Sequence, residues 1–147
     1  MFLLDTNVFS ELRKAKPHGA VLAWIKSVPP KDLFVSAMVI AEIQVGIERI
    51  RANDVSKAIE IEAWLLRMVA TMQVISMDLE VARTWAKMMH GRSRLLAEDT
   101  WIAATAKCNR LIIATRNVRD FEGLGVDVSI LLKICGRSLR ARAPNHR

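Results

Sequence analysis

MFLLDTN, residues 1–7, runs from apolar residues straight into an acid, a hydroxyl and an amide. Leu3 and Leu4 read as a short buried strand. Asp5, Thr6 and Asn7 can each cap the helix that follows, because all three side chains accept hydrogen bonds from free helix N–H groups. A strand that ends on a carboxylate is therefore either a helix entry or the edge of a site. Taken alone, the helix entry is the commoner meaning. The second meaning requires other acids of the chain to arrive at the same place.

Working outward, strand-like and helix-like runs alternate. "SELRK" reads as the start of a helix that Pro17, His18 and Gly19 interrupt, and "AVLAWIKSV" as a helix stopped by Pro29 and Pro30. "LFVSA" is a strand-like run, and "MVIAEIQVGIERI" has apolar residues at helical spacing. In the long amphipathic run "VSKAIEIEAWLLRMVATM", the spacing puts Ile59, Leu66, Val69 and Ala70 on a buried side and Lys57, Glu60 and Arg67 in water. "QVISM" is a short strand. Asp78 reads as the cap of "LEVARTWAKMMH", with Gly91 as its stop. "DTWIAATAKC" is a helix with an alanine-rich face, "RLIIAT" the most strand-like run, and "FEGLGVDVSIL" a turn and a last strand. Alternation of this kind implies crossover connections and a mostly parallel sheet covered on both faces, in one α/β domain. Trp24, Trp64, Trp85 and Trp101 fall in helices among apolar residues and read as core or interface residues.

The totals agree with one domain. The chain has 147 residues, 52% of them hydrophobic, enough for a single real core. No apolar stretch approaches the ~20 residues of a membrane helix, and no signal peptide is visible. Cys108 and Cys135 have no disulfide or zinc spacing, and His18, His90 and His146 are scattered as surface residues, so a cytoplasmic setting is expected. A formal net charge of +7 and an isoelectric point of about 10.0 favour a polyanionic partner such as nucleic acid, or an acidic protein. Part of that excess sits in "GRSLRARAPNHR", which reads as a solvated end.

Ligands of open parallel sheets bind beyond the carboxyl ends of the strands. Asp5 stands at such an end, and Asn117 and Asp120 follow another. Glu42 lies about a turn into the helix after "LFVSA", in an apolar setting that calls for a reason. Asp99 opens "DTWIAATAKC", either as its cap or as part of the same group; Glu98 beside it reads as a surface charge. Carboxylates drawn together repel unless a cation lies between them. Oxygen ligands without His or Cys favour magnesium or manganese over zinc. In a basic protein such a site suggests phosphodiester hydrolysis.

"LLDTNVFSEL", "VSAMVIAEIQVGI", "DTWIAATA" and "IIATRNVRDFEGLGV" resemble consecutive blocks of the PIN-domain family, in the form found in VapC-like and FitB-like toxins of bacterial toxin–antitoxin pairs. The resemblance runs from residue 2 to about residue 128. It implies a three-layer α/β/α domain with a mostly parallel sheet at 1–130; the basic segment at 131–147 departs from the family's usual ending and is atypical. The resemblance also implies a magnesium-dependent ribonuclease, with manganese as a substitute. By motif position Asp5, Glu42 and Asp99 match the family's acids as metal ligands, with Glu42 a ligand or a base for the attacking water. The fourth position stays open: Asn117 through its amide oxygen, Asp120 through a water, or Asp120 as a mere turn residue. Thr6 and Asn7 are expected to orient Asp5 through hydrogen bonds. The family's partners are a cognate antitoxin, a second toxin copy in a homodimer, and operator DNA through the antitoxin complex.

The expected function is thus a type II toxin that hydrolyses RNA. A first rival is a catalytically weak PIN-like subunit of a DNA-binding repressor complex, which Asn117 favours because an acid is common there. A second is a nuclease of DNA flaps, which the short chain disfavours.

Overall fold

The computed structural model describes residues 1–131. Residues 132–147, with Cys135, His146 and all but the first residue of the basic segment expected from 131 onward, lie outside the described residues. β1 (Phe2–Leu4) is the middle strand of a five-stranded sheet, flanked by β2 (Leu33–Ser36) and β4 (Ile112–Thr115), with β3 (Gln73–Ile75) and β5 (Val128–Ile130) at the edges. Every pairing is parallel. Leu3, Leu4, Val35, Ile113 and Ala114 are fully buried, the pattern of strands covered on both faces.

The helices are α1 (Thr6–Phe9), α2 (Gly19–Ser27), α3 (Ala37–Arg51), α4 (Val55–Thr71), α5 (Leu79–Met89) and α6 (Ala97–Asn109). The crossovers β1→β2 and β2→β3 step one way across the sheet and β3→β4 steps back. Right-handed crossovers then put α1–α4 on one face and α5 and α6 on the other. The register carries the functional consequence. Leu4 sits beside both Val35 and Ala114, so Asp5, Ser36 and Thr115 come next on one level of the same sheet edge.

Several local expectations need correction. The helix after β1 begins at Thr6, and "SELRK" falls mostly in a 3-10 turn, Ser10–Arg13, rather than opening a helix. In α4 the buried side is Ala58, Ile61 and Leu65, while Ile59 and Leu66 are 56% and 64% exposed, Ala70 is exposed and Val69 is half-buried. α4 carries two adjacent apolar stripes, and periodicity alone cannot choose between them. Trp64, packed on Phe9 at 5.3 Å between ring centroids, fixes the rotation. Asp78 does cap α5, accepting from the Val81 N–H at 2.9 Å, and Gly91 follows the helix with φ of 73°, a left-handed conformation that favours glycine. The other tryptophans also pack: Trp24 edge-on to Phe2, and Trp85 stacked on Trp101. Among the described residues no helix is long and apolar enough to cross a membrane.

Candidate active site

Asp5 caps α1 and belongs to the cluster at the same time. Its Oδ1 accepts from the Thr6 N–H at 2.7 Å. Its Oδ2 accepts from the Asn7 amide at 2.6 Å and from the Thr115 hydroxyl at 2.7 Å. Only one oxygen is needed for the cap, so the two meanings of MFLLDTN do not compete. Burial pushes the Asp5 carboxyl above its ordinary range; the hydrogen bonds from Thr115, Thr6 and Asn7 pull it back, and the charge of Asp120 pushes it up again.

Ser36 at the end of β2 caps α3 through the Val39 N–H, which sets the phase of the helix that carries Glu42. Glu42 is half-buried, and its carboxylate accepts a short hydrogen bond from the Thr6 hydroxyl. Burial raises its pKa, the Thr6 bond lowers it, and Glu98 and Asp5 raise it further. The side chain of Thr6 therefore serves Glu42, while its backbone serves Asp5.

Asp99 does not cap its helix. α6 starts at Ala97, its N-cap position is Leu96, and Asp99 lies inside the first turn. A helix N-terminus favours an ionised carboxylate, yet Asp99 is pushed up to about 7, by burial first and then by Asp120, Asp5, Glu42 and Glu98. β4 leads through Arg116 to Asn117 and a 3-10 turn, Val118–Phe121. Asn117 is exposed, and its amide donates to Asp120 at 2.7 Å. The charge of Asp120, in turn, reaches both Asp5 and Asp99.

The structure thus joins Asp5, Glu42, Asp99 and Asp120 by like-charge repulsion at the carboxyl edge of the sheet, with exposed Glu98 adding to it. None of the ion pairs among the described residues involves them. As the side chains stand, no three His, Cys, Asp or Glu groups among the described residues are arranged to enclose an ion. The donor chemistry, all oxygen and short of positive charge, still fits a hard divalent cation. A family model for the PIN domain matches residues 2–125, a span that holds all four acids.

The chain belongs to the PIN-domain family. The VapC ribonuclease Y4jK of Sinorhizobium fredii is 35% identical to it over 134 residues, 87% of this chain and 95% of that one. Toxin FitB of Neisseria gonorrhoeae is 33% identical over 135 residues, 87% of this chain and 96% of that one. A solved structure of FitAB bound to an IR36 DNA fragment matches with a TM-score of 0.75 and 30% identity, covering 88% of this chain and 94% of that chain.

Three residues of this PIN domain escape a reading of the sequence. Thr115, which grips Asp5, looks like the last residue of a strand. Glu11 is 2% exposed and bonded to Lys14, His18 and Arg116, and nothing in "SELRK" marks it out. Arg116 is one of 22 lysines and arginines, with nothing in the sequence to set it apart. The one available signal is position: Glu11, Thr115 and Arg116 all lie inside the blocks "LLDTNVFSEL" and "IIATRN".

Proposed function

We propose that this PIN domain is the toxin of a type II toxin–antitoxin pair and a divalent-metal-dependent endoribonuclease. The observation that carries the reading is the convergence of four carboxylates on one sheet edge, strong enough to push Asp99 to about 7 with no cation of the described chain paired to them. Asp5, Asp99 and Glu42 are the residues that would hold the ion, with Asp120 completing the site through a water. Closing them on one ion requires side-chain rotation from the arrangement described. A bound magnesium or manganese ion would neutralise charge at the scissile phosphate and lower the pKa of the attacking water. The chain's own groups do the positioning. Asn7 and Thr115 fix Oδ2 of Asp5, the Thr6 hydroxyl orients Glu42, and Asn117 steers Asp120. Glu42, its carboxyl raised by burial and by the charges of Glu98 and Asp5, is either a ligand of that ion or the base that takes the proton of the attacking water.

RNA as substrate is supported by the relative named as a ribonuclease, and an antitoxin partner with operator DNA by the relative named toxin and by FitAB bound to DNA. Asn117, the feature that favours a catalytically weak repressor subunit, leaves an acid at its corner by bonding to Asp120, so the ribonuclease reading is preferred. The test is cleavage of structured RNA and of single-stranded DNA by the purified chain. RNA cut with added magnesium or manganese and spared in excess chelator supports the proposal. Intact RNA at every metal concentration returns the chain to the repressor-subunit reading.

A further inference from the structure

We infer that the ion pair of Arg116 with buried Glu11 is a positioning device for the acid cluster, holding the turn that carries Asp120 against the 3-10 turn, Ser10–Arg13, that follows α1. The inference rests on the metal-dependent reading above. Glu11 Oε1 accepts from Lys14 Nζ at 2.5 Å and from Arg116 Nη1 at 2.6 Å, and Oε2 accepts from the His18 N–H at 2.8 Å. Lys14 and His18 close the local chain between α1 and α2 by themselves. Arg116 is different: it comes from 105 residues further on, at the end of β4.

Arg116 is also the link between two residues of the cluster. Thr115 before it grips Asp5, and Asn117 after it holds Asp120. The backbone N–H of Arg116 donates to Asn7 Oδ1 at 3.1 Å, while the Asn7 amide donates to Asp5. One residue is thus fastened twice to the stretch after β1, by its backbone to Asn7 and by its side chain to Glu11. Two attachments fix the direction in which the chain leaves β4, and one would leave a pivot. That direction sets how close Asp120 comes to Asp5 and Asp99. The guanidinium reaches Glu11 through Nη1 alone, and its Nε is buried with no partner among the described residues. Such a single-nitrogen contact is one that a lysine can replace in kind.

The test uses R116M, R116K and E11Q in the full chain. R116M leaves Glu11 with Lys14 and the His18 N–H. Magnesium affinity is read by calorimetry and from the magnesium dependence of RNA cleavage, and hydrogen exchange is followed at 117–121. R116M should weaken magnesium binding about tenfold, as loss of a group that orients ligands does, while KM for RNA stays within about twofold. Exchange at 117–121 should speed up, R116K should restore most of both properties, and E11Q should shift them the same way as R116M. Wild-type magnesium affinity and exchange in R116M would overturn the inference, even with a lowered melting temperature. So would a raised KM for RNA at unchanged magnesium affinity, the mark of a phosphate contact. Should R116M fail to fold, E11Q and R116K carry the same comparison. If the wild type cleaves no RNA, the ribonuclease reading falls, while calorimetry and exchange still decide the role of the pair.

Discussion

Asp5 and Glu11 lie six residues apart, are 4% and 2% exposed, and titrate in opposite directions. The hydrogen bond from Lys14 leads in holding Glu11 below the ordinary carboxylate range, with the His18 N–H and the charges of Lys14 and Arg116 adding to it against burial. Burial leads in pushing Asp5 up, and three neutral donors do not reverse it while Asp120 adds a like charge. What separates the two sites most plainly is company: Glu11 has Lys14 and Arg116 beside it, and the hydrogen-bond partners of Asp5 are all neutral. A buried acid surrounded by the chain's own cations is complete and serves the fold. Asp5, held by neutral donors and facing the like charge of Asp120, has no cation partner among the described residues and is the incomplete member of the two, which the proposed divalent cation would complete. Asp99, pushed to about 7 in the same cluster, is the sharpest sign of that deficit.

The largest effect should come from the incomplete side. Asp99→Asn should cut RNA cleavage by at least about 100-fold, because a neutral amide replaces a charged ligand. A kinetic assay at saturating magnesium checks it, and cleavage within a few-fold of the wild type would break the contrast. On the complete side, Glu11→Ala should lower stability by about 2 kcal/mol, since it removes the buried acceptor shared by Lys14, Arg116 and the His18 N–H. Denaturant unfolding measures that loss. The sign with pH follows from the depressed pKa: the stability Glu11 contributes is present above its unfolded value and is lost as pH falls through the folded one. The gap between the wild type and Glu11→Gln should therefore narrow in acid.

The opposite sign applies to Asp99. Its folded pKa of about 7 lies above the ordinary 3.8, so its contribution to stability is full below 3.8 and is lost as pH rises through 7. In metal-free protein at pH 8, Asp99→Asn should then be more stable than the wild type by about 1 kcal/mol, a value discounted because the side chain is partly exposed. Near pH 3 the two should unfold alike, and a stabilisation that persists there would contradict the assignment. The smallest effect belongs to Asn117→Ala, which leaves Asp120 in place without its amide partner. Cleavage should fall only several-fold, by about 1 kcal/mol of barrier, and a loss as deep as that of Asp99→Asn would make Asn117 itself a ligand.

The strands were legible in the sequence because central parallel strands are apolar on both faces, and "FLL" and "IIAT" are little else. As candidates, Glu42 stands out in the sequence as an acid inside an apolar helix, and Asp5 and Asp99 as acids at a strand end and near a helix start; that they meet is visible only once the strands are paired. The rotation of α4 was not legible: Ile59 and Leu66 are as apolar as Ile61 and Leu65, and only packing separates them. Nor was the start of α6, since Ala97 and Glu98 are helix formers that extend it past Asp99. Thr6 could be seen as a partner in the site, but not that its hydroxyl reaches Glu42, 36 positions away. Glu11 stayed hidden because its partner Arg116 is brought to it only by the pairing of β1 with β4.

The central claim is that the acid cluster waits for a divalent cation. The most direct measurement is thermal unfolding of the wild type and Asp5→Asn, each with and without magnesium. Asparagine caps a helix as well as aspartate does, so the metal-free variant should melt no lower than the wild type. Magnesium binds the folded state alone and stabilises it by mass action. It should raise the melting temperature of the wild type and leave that of Asp5→Asn nearly unmoved. Equal magnesium shifts in the two proteins would contradict the account and return Asp5 to a helix cap.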